Sequence, residues 1–320
     1  MIKSRTIAII ITLAILLSMS FGTILTKMTY SSVTPAAFVY LSTLIGIIAM
    51  NIYTFVIKHE RIPQELMTRQ VWSYIIQIAF FNFVLGTLSM FALNFMAAST
   101  NSYLSNFIGF ITMALSIIIL KEKPGIWQLL GAVIAFAGLR VFFPIPPSGN
   151  ELLGAGMILV AITGVAYTNN IARKLAQVTE NKISNNVIST LAITMGGFLA
   201  VFVYILIDGF PPVVPHLTDW LVIIYSGIVS KAIGLTVWNL ILRTLRSYEA
   251  SILGASSVIW TSMLAVLILH EEIQGYQIIA IGMMLIGLSL VQVRGGSIMG
   301  LFKKKVSSQA EIIPEKELPK

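Results

Sequence analysis

A lysine inside an apolar run is the side chain here with the most chemistry to offer. Lys231 lies near the middle of the run 218–242. An ionisable group at that depth of a bilayer costs about 2.5–3.5 kcal/mol on insertion scales, so it must face a cavity or a partner rather than lipid. Two roles fit it: recognising a carboxylate or other anion, or exchanging a proton during a conformational cycle. The plainer alternatives are a lysine held by backbone carbonyls, or one whose long stem snorkels to the surface. No carboxylate shares its depth. Glu249 sits at the start of the next run, and Asp208 and Asp219 lie at the ends of theirs. A receptor for hydrophobic cations would need such a buried acid, so a solute bearing a carboxylate, such as an amino acid, fits better.

Several neutral polar residues fall at similar depth: Asn82, Asn106, Ser256, Ser257 and Trp260. Each could hydrogen-bond a polar solute, although Ser, Thr and Asn also bond across packed helices. Tyr103, Tyr167 and Tyr225 are candidate cavity walls or gates, with packing and interfacial anchoring as the competing roles. Asn169 and Asn170 are adjacent in sequence, about 100° apart around a helix, so at most one faces any cavity. Enzyme signatures are absent: His270-Glu271-Glu272 is not followed by a second histidine, and there is no G-x-S-x-G, P-loop or G-x-G-x-x-G. His59, His216 and His270 are dispersed, and there is no cysteine, so no metal site or cofactor is expected.

The elements that must hold these residues are membrane spans. The chain is 57% apolar and only 11% charged, with a mean hydropathy of +0.88. A soluble domain carries about 25% charged residues. Apolar segments at 6–26, 34–57, 72–95, 97–120, 125–143, 152–172, 184–207, 218–242, 247–269 and 275–293 predict ten transmembrane helices. A tight turn is expected near Ala97–Ser99. The first segment follows Lys3 and Arg5 but is too long for a signal core and lacks an A-x-A-like site, so it reads as a retained span. No proline falls in the middle of a segment. Pro35 and Pro124 mark helix starts, where the missing N–H costs nothing.

Charge sets the orientation. With ten spans, Lys58, Arg61, Arg69, Lys121, Lys123, Arg173, Lys174, Lys182, Arg243, Arg246 and Arg294 share the side of both termini. Lys27 and Arg140 fall on the other, where they read as snorkelling rim charges. The positive-inside rule then makes both termini cytoplasmic. The net charge of +8 is accounted for by these loops, so nucleic acid is not an expected partner. The tail 295–320 reads as a disordered cytosolic segment whose Lys303–Lys305 touch anionic lipid.

The chain also repeats itself. IIILKEKPGIWQLLGAVIAFAGL (117–139) aligns without gaps on VLILHEEIQGYQIIAIGMMLIGL (266–288), 149 residues on. Glu122 meets Glu271, Trp127 meets Tyr276, Gln128 meets Gln277, and Gly138 meets Gly287. Upstream, ILTK ending at Lys27 matches IARK ending at Lys174. Residues 1–147 and 148–294 therefore form two five-helix repeats. Five is odd, so the second enters the membrane from the opposite side, the inverted architecture of many secondary transporters. Glu122 and Glu271 are expected to cap the helices that follow them, as carboxylates at helix N-termini do. Gly196, Gly197, Gly282 and Gly287 are expected to permit close helix approach.

These residues carry a resemblance. The two L-x-E corners (Leu120, Glu122; Leu269, Glu271), each followed by an aromatic-Gln pair and later glycines, resemble the EamA-type permeases of the drug/metabolite transporter superfamily. So does GLTVWNLILR (234–243), through Trp238 and Asn239. The resemblance covers about 6–293. It implies a central cavity lined by helices 1, 3, 4, 6, 8 and 9, with Trp238 among the substrate-binding candidates. One departure is that the prolines frequent about 13 residues before each Glu are replaced by Gly109 and Val258, so the fourth and ninth helices are expected to bend differently. The implied protein is a multi-pass transporter of the inner cell membrane that moves a small polar metabolite by alternating access, commonly by export. Its energy would come from the solute gradient or from protons. The alternative is a non-transporting scaffold or lipid-flipping component, which would lack saturable flux.

Overall fold

The computed structural model describes residues 5–121, 123–234, 236–237 and 254–291. Hydrocarbon offers backbone amides no partner, so a chain this apolar satisfies them within helices. Every described element is helical: α1 Arg5–Thr29, α2 Pro35–Asn51, α3 Arg69–Ile78, α4 Ala98–Ser105 resuming at Ile108–Ile119, and α5 Ile126–Phe142. They continue with α6 Gly149–Val178, α7 Asn185–Asp208, α8 Leu217–Tyr225, α9 Ser257–Leu269 and α10 Gly275–Val291. Three helices run on into wide π turns: α2 through Ile52–Ile57, α3 through Ala79–Leu85 and then Leu88–Ala92, and α8 through Ser226–Ile233. Among the described residues six helices, α1 to α4 with α6 and α7, are long and apolar enough to cross a bilayer. The turn between α3 and α4 occupies Leu93–Ala97, slightly earlier than its expected place.

The two halves are built alike. Thr34 caps the N-terminus of α2 through the amide of Ala37, and Ser184, 150 residues on, caps α7 through that of Asn186. Lys121 and His270, 149 residues apart, both adopt the left-handed backbone (φ 56° and 55°) that ends α4 and α9. Gln128 accepts from Gly125 N–H and Gln277 from Gln274 N–H, both at 2.9 Å. These glutamines satisfy amides at the starts of α5 and α10.

Equivalent helices also meet antiparallel. The Cβ that Gly131 lacks would collide with Gly287 O, and one on Gly287 would lie 2.5 Å from Gly131 O. A Cβ on Gly138 would lie 3.2 Å from Ala280 O. Moving Gly131 forward by 149 gives position 280, and moving Gly287 back by 149 gives 138. The two contacts are thus one contact seen from each half, so α5 and α10 cross with opposite directions about a common centre. α2 and α7 cross the same way: Thr54 meets Thr190 at 2.7 Å, Asn51 meets Thr194 at 2.9 Å, and Gly197 packs on Ile47. Gly196 is pressed on Ala79 O of α3, whereas Gly282 has nothing within 4 Å and plays no packing role, contrary to expectation.

Glu271 does not cap α10. Its Oε1 accepts from Ala98 N–H at 2.7 Å, and its Oε2 from Ser99 N–H at 3.1 Å and Ser99 Oγ at 2.7 Å. It therefore caps α4, in the other half. Lys27 does not snorkel: its Nζ donates to Met96 O at 2.6 Å and pairs with Glu271 at 3.3 Å. Arg140 closes its own helix on Phe143 O and Pro144 O. Glu122 and Glu249 lie outside the described residues. Burial pushes the Glu271 carboxyl up, but the Ala98 and Ser99 donors and the Lys27 charge outweigh it and leave it below the usual carboxylate range.

Two outcomes are expected in detergent. Gly131→Val should lower Tm, as overpacking costs about 1–3 kcal/mol or more, while Gly282→Ala should leave it unchanged or raise it slightly, Ala being about 0.5–1 kcal/mol better in a helix. Glu271→Gln should cost about 1–3 kcal/mol at neutral pH, because it removes hydrogen bonds to a charged group. A depressed carboxyl stabilises fully above its unfolded pKa of about 4.3 and stops doing so as pH falls through the lower folded value. Thermal scans of native and variant protein should therefore converge on acidification.

Candidate functional site

α8 enters its wide turn at Ser226, and Lys231 lies within it. The matching wide turn of α3, Ala79–Leu85, falls at the equivalent place in the first half and contains Asn82 and Phe83. A π turn leaves an i→i−4 hydrogen bond unmade and recurs at functional sites. Its presence at equivalent positions of both halves marks one layer of the bundle.

Lys231 reaches across to α2. Its Nζ donates to Thr43 Oγ1 at 2.5 Å, Ser42 Oγ at 3.0 Å and Val39 O at 3.4 Å. Three N–H groups thus find three acceptors, all neutral. Among the described residues no carboxylate pairs with it. Close approach of the helices makes this reach possible. A Cβ at Gly46 would lie 3.2 Å from Lys231 Cβ, and one at Gly227 2.7 Å from Ser42 O. The ordinary look of Ser42, Thr43 and Gly46 within an apolar run hid them from sequence reading. Only their position opposite a buried cation distinguishes them.

A second polar layer joins four helices. Tyr225 lies six residues before Lys231 and ties α8 to α1: it donates to Ser18 O at 2.7 Å and lies 2.5 Å from Ser18 Oγ. Ser20 Oγ donates to Ser257 O at 3.4 Å, linking α1 to α9. Asn106 Nδ2 donates to Ser102 O at 2.8 Å and to Ser257 Oγ at 3.4 Å, linking α4 to α9. Both contacts to Ser257 are long and easily exchanged. Two helices are interrupted here: α4 breaks at Asn106 and Phe107, and a turn at Ser256 precedes α9. Ser18 and Ser20 were not legible as site residues.

The other candidates separate from this group. Tyr103 is fully buried, stacked on Phe142 at 4.0 Å and edge-on to Phe107, a core position rather than a cavity wall. Tyr167 donates to Gln77 at 2.5 Å and packs on Phe81, joining α6 to α3. Asn82 makes no side-chain hydrogen bond to a described residue, and its neighbour Phe83 packs with Ile47, Met50, Ile193 and Ala232. Of the asparagine pair, Asn170 is buried and bonds Thr112 O, while Asn169 is exposed. Trp260 Nε1 is buried with no partner among the described residues. Trp238 lies outside the described residues. Among the described residues no group of His, Asp and Glu could hold a metal ion.

The comparisons with known proteins agree with this architecture. A solved crystal structure of a protein superposes with a TM-score of 0.62 over 90% of this chain and 98% of its own, at 18% identity, which is a likeness of fold. No curated protein matches the chain. The model of the EamA-like transporter family matches twice, over residues 6–144 and 152–293. Two consecutive matches over nearly the whole apolar part, on a bundle whose equivalent helices cross antiparallel, make this multi-pass membrane protein a member of the EamA-like transporter family.

Proposed function

We propose that this protein is a secondary transporter that moves a small polar metabolite bearing a carboxylate, most simply an amino acid, by alternating access. Lys231, with no carboxylate partner among the described residues, carries the reading. A cation held at mid-depth by neutral oxygens is expensive to keep, and a fixed carboxylate partner would have been the cheaper structural solution. A transported carboxylate can supply the missing charge when it binds. Ser42 and Thr43 would then release Nζ to the solute and take it back when the solute leaves, so the site stays hydrogen-bonded in both states.

The rest of the reading follows from the repeat. Ten spans in two inverted halves, with both termini cytoplasmic in the inner cell membrane, place Lys231 and the wide turns of α3 and α8 near the centre. Asn82, on the counterpart turn, has free hydrogen-bonding capacity for the polar end of a solute. Asn106, Ser257, Tyr225, Trp260 and Trp238 are the further contacts, with Tyr103 and Tyr167 as their supports. Export, driven by the solute gradient or by protons, is the direction we assign.

Counterflow of a labelled amino-acid panel in proteoliposomes tests this. The native protein should exchange one class saturably, and Lys231→Met should reduce that exchange by tens of fold, matching the ~1.5–3 kcal/mol of a hydrogen bond to a charged group. Equal exchange by both proteins would remove Lys231 from the site. No exchange of any carboxylate by the native protein would favour the scaffold or lipid-flipping alternative.

A further inference from the structure

We infer that Lys27, Glu271 and the N-terminus of α4 form a gate that seals the path between the two halves on the face opposite the termini. This inference rests on the transport reading above. Three separate segments meet at one carboxylate: the end of α1 (Lys27), the start of α4 (Ala98 and Ser99), and the corner between α9 and α10 (Glu271). The first two belong to one half and the third to the other, so separating the halves here must break all of these contacts together. Lys27 adds a tie to Met96 O in the turn before α4.

What lies beneath is apolar and sealed. Ile24 of α1, Leu93 of the α3–α4 turn, Ala98 of α4 and Ala265 of α9 pack into one cluster, each at most 4% exposed. The polar latch and the apolar plug use the same helices, α1, α4 and α9, and these are the helices joined deeper in the membrane by Ser20, Asn106 and Ser257.

The chemistry suits a reversible closure. Exchange of protein hydrogen bonds for water at the membrane surface costs little net free energy per bond, whereas a lone carboxylate in hydrocarbon would be far harder to release. Holding four donors on one carboxylate makes the closed state cooperative, and water reaching the corner can replace them all. The left-handed turn at His270 fixes where Glu271 points. In the other repeat, Glu122 and Lys174 stand at the equivalent sequence positions, so the same residue types are available on the opposite face.

The chain has no cysteine, so one introduced thiol is a clean reporter. Ala265→Cys places it in the plug, fully buried. Ala192→Cys places a control thiol, also fully buried, in the separate core between α3, α6 and α7. Purified protein in detergent micelles is reacted with a maleimide, with and without Glu271→Gln, and in parallel with Lys27→Met. If the gate is real, Ala265→Cys should react on the order of tenfold faster in the Glu271→Gln background, the change that ~1.4 kcal/mol in the opening equilibrium produces. It should react faster, by less, in the Lys27→Met background, and Ala192→Cys should keep its slow rate in both. Unchanged reaction at Ala265→Cys would overturn the gate. Equal acceleration at both thiols would also overturn it, because it would show general loosening of the bundle. Neither readout needs a solute, so a negative transport assay and a negative gate assay are separate results.

Discussion

Hydrocarbon cannot solvate a charge, and the arrangement around Lys231 is set by that constraint. A buried lysine needs acceptors for its N–H groups, and the wide turn of α8 aims Lys231 at Val39, Ser42 and Thr43 on α2. Those acceptors are within reach because Gly46 and Gly227 let the two backbones close up. Glycine here is a matter of distance: a Cβ at Gly227 would lie 2.7 Å from Ser42 O and from Ile45 Cβ, so a side chain there cannot be added without a shift of α2 or α8. The cradle satisfies hydrogen bonding with neutral oxygens alone, and among the described residues no carboxylate joins it.

The second organising fact is the exchange symmetry of the halves. Two contacts at the crossing of α5 and α10, Gly131 with Gly287 and Gly138 with Ala280, become one another when the repeats are swapped. The wide turns of α3 and α8, the breaks in α4 and near Ser256, and the left-handed corners at Lys121 and His270 come in matched pairs as well. Where the pairs differ is where the two halves do different work. Asn82 is a neutral amide while Lys231, 149 residues on, is a lysine, so the two halves carry different chemistry on a common frame.

Much of this was legible beforehand. Hydropathy placed the described helices to within a few residues, because the cost of exposing a backbone to lipid overrides subtler preferences. The repeat was visible in Glu122 and Glu271, Gln128 and Gln277, Gly138 and Gly287. The roles were less visible. Glu271 looked like a cap for the helix after it, yet it caps α4 across the bundle, because the left-handed turn at His270 redirects it; Gln277 takes the nearer task. Lys27 looked like a rim charge and is instead pinned to Met96 and Glu271. Tyr103 is a core residue, since its ring stacks on Phe142 rather than facing polar neighbours. Ser18, Ser20, Ser42 and Thr43 escaped notice, because a small hydroxyl in an apolar run carries no sequence signal until its cross-helix partner is known.

Lys231 is proposed to recognise a solute by charge. Solute-induced thermal stabilisation of the purified protein, compared between an amino acid and its neutral amide, tests that claim most directly. Binding to the folded state raises Tm by an amount that grows with the logarithm of ligand concentration over Kd. If Lys231 reads charge, the carboxylate form should stabilise the native protein and the amide should not, and Lys231→Met should abolish the difference. Equal stabilisation by the two forms would contradict it.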